Sequence, residues 1–138
     1  MSTDRRLPAF VAALILTIAT VAACASGTAP SPPVAPGTGL AITSAAGPTC
    51  PVETLGDPAC APRPVPGAKV TILDVGGREV STVVLDAKGA ALVTLPAGKY
   101  VVRAQPAAGL MGTPGPMEVA VVGGKLTAVD LSYDTGIR

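Results

Sequence analysis

The sequence predicts an all-β domain, a sandwich of about seven strands, preceded by a signal peptide and a disordered linker. From Leu40 onward, short runs rich in Val, Ile, Leu, Thr and Tyr alternate between apolar and polar residues. Glycine and proline interrupt these runs at intervals of roughly ten residues, which is typical of sandwiches and barrels. No long helical period of apolar residues appears there. The predicted organisation is a signal peptide over 1–23, a tether over 24–39 and a sandwich over 40–138.

The start of the chain has the order of residues found in a secretory signal. Arg5 and Arg6 precede an apolar run over 9–19, and small residues follow that run. The four residues Val21-Ala22-Ala23-Cys24 resemble the bacterial lipobox, in which an aliphatic residue and then small residues stand ahead of a cysteine. The resemblance implies that a diacylglyceryl group is attached to the sulfur of Cys24 and that the chain is cleaved before this residue.

A lipid on Cys24 predicts that the protein is held on the extracytoplasmic face of the cell membrane. Two acyl chains, at about 0.8 kcal/mol per buried CH₂, suffice for stable anchoring. Two alternatives remain open. One is an uncleaved transmembrane helix, because about 17 mostly apolar residues are at the lower limit of what spans a bilayer. The other is a plain signal peptide without a lipid.

The odd number of cysteines agrees with lipidation of one of them. The chain contains three cysteines, and a lipid on Cys24 leaves Cys50 and Cys60 as a pair. We expect these two to form a disulfide that closes an irregular loop, worth about 3 kcal/mol on the loop-entropy relation. The alternative is a redox or metal site, but nine residues separate the two cysteines and the chain has no histidine to complete a zinc site.

Residues 25–39 form the predicted tether. They combine proline with Gly, Ser, Thr and Ala and offer almost nothing for a hydrophobic core, as expected of a partly polyproline II spacer. At about 3.1 Å per residue, fifteen such residues reach at most roughly 45 Å. The tether should therefore separate the domain from the membrane.

The alternation of side chains places strands and their buried faces. Strands are expected over 40–46, 68–74, 79–85, 90–95, 99–105, 117–122 and 125–133. The residues expected to face the core are Val70, Ile72, Val80, Val84, Val93, Leu95, Tyr100, Val102, Val119, Val121, Val129, Leu131 and Tyr133.

Four short segments are expected to form turns. Residues 75–78 and 122–125 each contain two adjacent glycines, which accept the positive φ of tight hairpins, so both are predicted to be hairpin turns. Residues 86–89 and 95–98 combine Asp or Pro with Gly and are predicted to be turns by similar chemistry.

Three runs of the chain resemble a carboxypeptidase regulatory-like domain, a relative of prealbumin and of the B-type repeats of collagen adhesins. They are Val65-Pro66-Gly67-Ala68-Lys69-Val70, the turn 86–89, and Leu95-Pro96-Ala97-Gly98-Lys99-Tyr100-Val101-Val102. The similarity covers about residues 40–133 and implies a prealbumin-like or immunoglobulin-like sandwich. Two positions depart from the pattern, since Ala91 stands where an aromatic residue is usual and Lys88 where an Asn or acidic residue is usual. The adhesin repeats often carry a Lys–Asn cross-link, which this sequence, without asparagine, cannot form.

Composition excludes several classes of function. Eight basic and eight acidic residues follow Cys24, so no basic field attracts nucleic acid. The absence of histidine excludes Ser-His-Asp and Cys-His mechanisms, and no cofactor or metal is expected. Asp134-Thr135-Gly136 matches the tripeptide of aspartic proteases but is interpreted as a turn or tail. Asp86 with Asp74 or Glu79 offers few oxygen ligands for calcium.

The predicted function is that of a non-enzymatic, lipid-anchored binding or scaffold module. Its partner is an unidentified envelope protein or glycan. Leu110 and Met111, in the irregular segment 109–116, are candidate contact residues, although apolar residues in loops more often cover the edge of the core. Two alternatives remain open: a carbohydrate or cell-wall binding module, and an enzyme with a carboxylate or Ser-Lys site.

Overall fold

A computed structural model describes residues 33–52 and 56–138 of the chain. The signal peptide, Cys24 and most of the tether lie outside the described residues. A short 3₁₀ turn, Pro58–Cys60, interrupts a succession of eight strands. The strands are β1 (Gly39–Gly47), β2 (Arg63–Pro64), β3 (Lys69–Asp74), β4 (Glu79–Val84), β5 (Ala90–Thr94), β6 (Gly98–Ala104), β7 (Met117–Val121) and β8 (Leu126–Asp134).

The strands form two sheets packed into a sandwich, which confirms the predicted all-β fold class. In the first sheet, β1 pairs with β8 on one side and with β5 and the short β2 on the other. The second sheet has the order β4-β3-β6-β7, and all its pairs are antiparallel. All seven predicted strands are present, and the two-residue β2 is an addition that the sequence did not indicate.

β1 is the central strand of the first sheet. It pairs in parallel with β8 along its full length, from Gly39 opposite Leu126 to Gly47 opposite Asp134. Its first half also pairs with β5, and Ala45 and Ala46 pair with β2. Because both edges of β1 are occupied, its backbone groups are satisfied within the sheet, and the strand is fixed in register from both sides.

The core lies between the two sheets and consists mainly of small branched side chains. Its buried members are Leu40, Ile42, Ala46, Val65, Ala68, Val70, Ile72, Leu85, Val93, Leu95, Tyr100, Val102, Ala104, Val121, Val129, Leu131 and Tyr133. Ten of the thirteen residues predicted to face the core belong to this set, and Val119 is half-buried against it.

The predictions for Val80 and Val84 are wrong, because β4 presents its other face to the core. Val83 pairs with the buried Val70 and packs against the core, so the neighbouring Val84 points outward and is 58% exposed. Val80 stands at a bulge, where the pairing shifts between Ile72 and Leu73, and is 44% exposed. A bulge adds one unpaired residue to a strand and thereby breaks the alternation of its side chains.

The turn at 122–125 is present but does not make a hairpin. β7 belongs to the second sheet and β8 to the first, so this turn carries the chain from one sheet to the other. It is held by Thr38, whose hydroxyl oxygen accepts a hydrogen bond of 2.7 Å from the amide of Gly124. The turn at 75–78 does join the neighbouring strands β3 and β4, as predicted.

The sandwich has two ends with different contents. The tether end is where residues 33–38 lead into β1, and it carries the turns 75–78 and 122–125. The segment predicted as a turn at 95–98 also lies there, but it is a bend over 95–97 that leads into β6 at Gly98. The opposite end, called the cleft end below, is where β1, β6 and β8 finish and β3 begins. It also carries the loop closed by Cys50 and Cys60, the short β2 and the C-terminal residues. The nine residues of β1, at about 3.3 Å each, separate the two ends by roughly 30 Å.

The orientation of β4 predicts different costs for substituting its two adjacent valines. Val83→Ala should destabilise the domain by about 1 kcal/mol, because it removes methyl groups packed against the core. Val84→Ala should change the free energy of unfolding by less than about 0.5 kcal/mol, as expected for an exposed position. Urea unfolding of the two variants measures this difference, and equal costs or the reverse order would contradict the register of β4.

Candidate functional site

The candidate site is a cleft of about 770 Å³ at the cleft end of the sandwich. Four segments surround it: the end of β1 with the following residues, the connection from β2 to β3, the segment after β6, and the C-terminal tail. Its lining residues are Ala46, Thr49, Arg63, Pro64, Val65, Pro66, Gly67, Ala68, Lys69, Gln105, Pro106, Ala107, Ala108, Leu110, Thr135 and Ile137. Its volume is within the range typical of ligand sites, about 300–1,000 Å³.

Small apolar side chains form about half of the inner surface of the cleft. Ala46 and Ala68 are buried and belong to the core, while Ala107 and Leu110 are half-buried and pack against it. The cleft therefore lies where the two sheets separate and the core reaches the surface. A surface of this kind favours aliphatic groups, because they lose contact with water on binding.

Arg63 and Lys69 supply the charge of the cleft. Both side chains are exposed, and no carboxylate occurs among the described residues that line the cleft. The two ion pairs in the described part of the chain join Arg78 with Asp74 and Arg138 with Asp134, so neither involves these two cations. The local charge at the cleft is consequently positive, although the whole chain is almost neutral.

The disulfide between Cys50 and Cys60 is present and fixes the loop beside the cleft. Its Cα atoms are 5.2 Å apart. Within the loop, the amide of Ala59 donates a hydrogen bond of 2.9 Å to the carboxylate of Asp57. The hydroxyl of Thr49, which lines the cleft, is 3.3 Å from the carbonyl oxygen of Ala61. This wall of the cleft is therefore held by a covalent bond and by local hydrogen bonds.

The C-terminal tail forms a second wall. Asp134 exchanges backbone hydrogen bonds of 3.0 Å with Gly112, and the amide of Thr135 donates to the carbonyl oxygen of Gly47 at 3.2 Å. The hydroxyl of Thr135 donates to the carbonyl oxygen of Pro48. In this arrangement the tripeptide 134–136 fastens the tail to the end of β1, and Asp134 accepts hydrogen bonds from Gly136 and Arg138.

Leu110 and Met111 have different surroundings although they are adjacent in sequence. Leu110 lines the cleft and packs against the core. Met111 is 81% exposed, and its side chain lies against Gly136, where a Cβ atom would collide with it. Gly136 has a φ of +80°, which also favours glycine at this position. Of the two candidate contact residues, Leu110 is thus the one placed in the cleft.

Arg63 and Lys69 are functional candidates that the sequence reasoning missed. Four segments far apart in sequence meet at the cleft, and the pairing of β1 with β2 and β8 and of β3 with β6 brings them together. The one local signal is the alternation of Pro62, Pro64 and Pro66 around Arg63. Alternating prolines indicate an extended segment that lacks donors at every second residue, but they do not specify a site.

The carboxylates of Asp74 and Asp86 are occupied by turns at opposite ends of the sandwich. Asp86 accepts hydrogen bonds from the amides of Lys88 and Ala90 at 2.8 and 3.0 Å. Asp74 likewise accepts from the amides of Gly76 and Arg78, both at 2.9 Å. Since β4 separates the two turns, these carboxylates do not combine into one cation site. In the described part of the chain no group of three or more His, Cys, Asp or Glu residues gathers in a way that could hold a metal ion.

Backbone hydrogen bonds lower the pKa of both turn carboxyls. For Asp86 the main cause is the amide of Ala90, followed by that of Lys88. For Asp74 the main cause is the amide of Arg78. The pKa of Asp134 is also lowered, chiefly by the hydrogen bond from the Arg138 side chain. These hydrogen bonds favour the ionised form of each group, because the carboxylate is the better acceptor.

Both tyrosines of the domain point into the sandwich. The hydroxyl of Tyr100 donates to the carbonyl oxygen of Pro96 at 2.9 Å, and that of Tyr133 to the carbonyl oxygen of Gln105 at 3.1 Å. Burial raises the pKa of both phenols. Neither ring lines the cleft, so a stacking platform for sugar rings is not available among the described cleft residues.

Over the described residues, no helix has the length and apolar character needed to cross a bilayer.

Comparisons with known proteins show the fold of this chain but not a family. No protein-family model matches the chain, and no curated protein matches its sequence. Among solved structures, the minor pilin of Streptococcus agalactiae is similar over 71% of the chain, with a TM-score of 0.55 and 17% identity. The shaft pilin SpaA of Lactobacillus rhamnosus GG is similar over 70%, with a TM-score of 0.55 and 13% identity. The TIE protein of Bacillus anthracis is similar over 69%, with a TM-score of 0.53 and 24% identity.

These similarities concern one domain of larger proteins. The matching region spans 44% of the Streptococcus pilin, 51% of the Lactobacillus pilin and 16% of the TIE protein. The chain therefore has the β-sandwich fold that occurs as a domain in these pilins, and it corresponds to about half of their length or less.

The lowered carboxyl pKa values predict a loss of stability in acid. Each of these groups has a folded-state pKa below the usual value of about 3.9. It therefore contributes stability in full above that value, and the contribution disappears as the pH falls through the folded-state pKa. Asp86→Asn keeps the acceptor oxygen but cannot titrate. The difference in urea midpoint between pH 7 and about pH 3 should be smaller in this variant than in the wild type.

Glu118→Gln provides the matched control for this measurement. It also removes one negative charge, but the Glu118 side chain accepts no hydrogen bond from the described residues. The control should keep the pH dependence of the wild type. If Asp86→Asn and Glu118→Gln reduced the pH dependence equally, net charge rather than the turn would be responsible.

Proposed function

We propose that the protein is a lipid-anchored scaffold module that presents the cleft as a binding surface on the outer side of the cytoplasmic membrane. The proposal assigns anchoring to Cys24, spacing to the tether and partner binding to the cleft. No catalytic step is assigned to any residue. The carboxylates of Asp74, Asp86 and Asp134 already serve as acceptors for turn and tail hydrogen bonds.

One observation carries this proposal: the tether and the cleft are at opposite ends of the sandwich. Residues 33–38 join β1 at the tether end, and β1 then runs to the cleft end, about 30 Å away. Thr38 is buried and is tied to the turn at 122–125, so the junction between tether and domain is fixed. The described part of the tether thus joins the domain at the end opposite the cleft.

The assignment of the anchor to Cys24 is supported by the two other cysteines. Cys50 and Cys60 are joined to each other, which leaves Cys24 as the remaining thiol of the chain. The lipobox-like residues directly before Cys24 supply the reason why this thiol would be modified. A lipid on it would remove a reactive group from an exported protein and would hold the protein at the membrane.

The similarity to pilin domains supports a scaffold role over an enzymatic one. Two of the similar structures are a minor pilin and a shaft pilin, and neither is described as an enzyme. At under 25% identity this similarity is an analogy of fold, and the binding role rests on the cleft of this chain.

Metabolic labelling tests the anchor. Cells grown with a fatty-acid analogue should label the wild-type chain, whereas Cys24→Ala should lose the label, because the acyl chains would be attached to that sulfur. The matched control is the double variant Cys50→Ala with Cys60→Ala, which keeps Cys24 and should remain labelled. Equal labelling of wild type and Cys24→Ala, or loss of label in the control alone, would refute the proposed anchor.

A further inference from the structure

We infer that the cleft binds an extended acidic peptide segment of a partner protein. This inference rests on the proposed function, because it takes the cleft to be the binding surface. It is drawn from the charge of the cleft, the shape and polarity of its lining, and the rigidity of its walls.

The charge of the cleft is complementary to an anion. Arg63, in β2, and Lys69, at the start of β3, line it from either side of the connection between these two strands. The described lining residues include no carboxylate to neutralise them, and both side chains are exposed to solvent. An incoming carboxylate can therefore approach either cation without displacing an ion pair of the described structure.

The remaining lining favours aliphatic side chains next to that anion. Leu110 and Ile137 stand on two walls, and several prolines and alanines complete the apolar surface. The hydroxyls of Thr49 and Thr135 already donate hydrogen bonds within the walls, but their oxygens and the side-chain oxygen of Gln105 can accept hydrogen bonds from the amides of a peptide. A peptide that alternates carboxylates with small apolar residues would satisfy both parts of this lining.

A peptide fits this cleft better than a glycan of the same charge. Recognition of sugar rings generally uses flat aromatic faces. The two tyrosine rings of the domain are buried, and their hydroxyls are engaged with the carbonyl oxygens of Pro96 and Gln105. A phosphate-bearing polymer would thus gain from the charge but not from the rest of the cleft.

The walls of the cleft are held in place before any ligand arrives. The disulfide fixes one wall, and the hydrogen bonds of residues 134–135 to Gly47, Pro48 and Gly112 fix another. The amide of Gln105 donates to the carbonyl oxygen of Lys69 at 2.9 Å, which joins the other two segments. A site that is already ordered loses less conformational entropy on binding, so an exposed cleft of moderate charge can still bind a flexible peptide.

Fluorescence anisotropy with defined peptides tests this inference. The full chain, in micelles of a neutral detergent, is titrated against a labelled peptide in which Glu and Ala alternate. This peptide should bind, whereas a peptide of the same length with Lys in place of Glu should not. Binding should weaken as ionic strength rises, because the charges on both partners are exposed and are screened by salt.

Two double variants separate the cleft from the general charge of the protein. Arg63→Ser with Lys69→Ser should weaken binding of the acidic peptide about tenfold, because both cleft cations are lost. The matched control, Lys99→Ser with Arg103→Ser, removes two exposed cations from β6 and should bind as the wild type does. Equal weakening in both variants would overturn the inference, as would binding of a glycerol-phosphate polymer without binding of the acidic peptide, or no binding of the peptide.

The outcomes also distinguish this inference from the proposed function. If the acidic peptide fails to bind but Cys24→Ala alone loses the fatty-acid label, the anchored scaffold stands and the ligand assignment is wrong. If the peptide binds as expected but labelling does not depend on Cys24, the cleft stands and the anchor is wrong.

Discussion

The structure depends most on the pairing of β1 with three other strands. β8 lies beside it in parallel over nine residue pairs, and β5 and β2 occupy its other edge one after the other. On its inner face, Leu40 and Ile42 are almost completely buried in the core. The parallel pairing of β1 with β8 joins residues that are far apart in sequence, and non-local pairing of this kind is slow to form because the intervening chain must first be closed into a loop.

The cleft is a consequence of where β1 ends. At Gly47 the chain leaves the sheet for the disulfide loop, and the returning residues 63–64 pair with the last part of β1. The tail after β8 is fastened to the same end by Thr135 and Gly112. At the same end the turn 86–89 joins the two sheets through β4 and β5. Small core residues such as Ala46 and Ala68 line the cleft at this end. The end of β1 thus contributes both to the core and to the candidate site.

The sequence predicted turns and buried faces correctly where interactions between neighbouring residues determine them. The turn at 86–89 is an example: Asp86 supplies the acceptor and Gly89, with a φ of +69°, closes the turn. Alternation also identified the buried faces of β3, β5, β6 and β8. It failed in β4, where two adjacent valines fit either face and the partner Val70 decides which one is buried. It gave no face for β1, in which small residues such as Ala41, Ala45 and Ala46 offer little contrast in polarity.

The cleft was beyond the reach of sequence reasoning for a different physical reason. Its cations, Arg63 and Lys69, are ordinary exposed residues in their own segments, and only the tertiary fold brings them beside Leu110 and Ile137. Cys50 and Cys60 were predicted to pair for two reasons. A disulfide needs only two cysteines, and the third cysteine, Cys24, was assigned to the lipid. A binding surface made of four separate segments has no comparable signature.

The central claim is that the end opposite the tether is the surface that meets a partner. Site-specific photocrosslinking in intact cells tests it most directly, with the crosslinking residue placed at exposed Ala108 beside the cleft or at exposed Ala97 at the tether end. We expect a protein adduct from position 108 that disappears when Arg63 and Lys69 are replaced by Ser, and no comparable adduct from position 97. An adduct from position 97 with none from position 108 would contradict it.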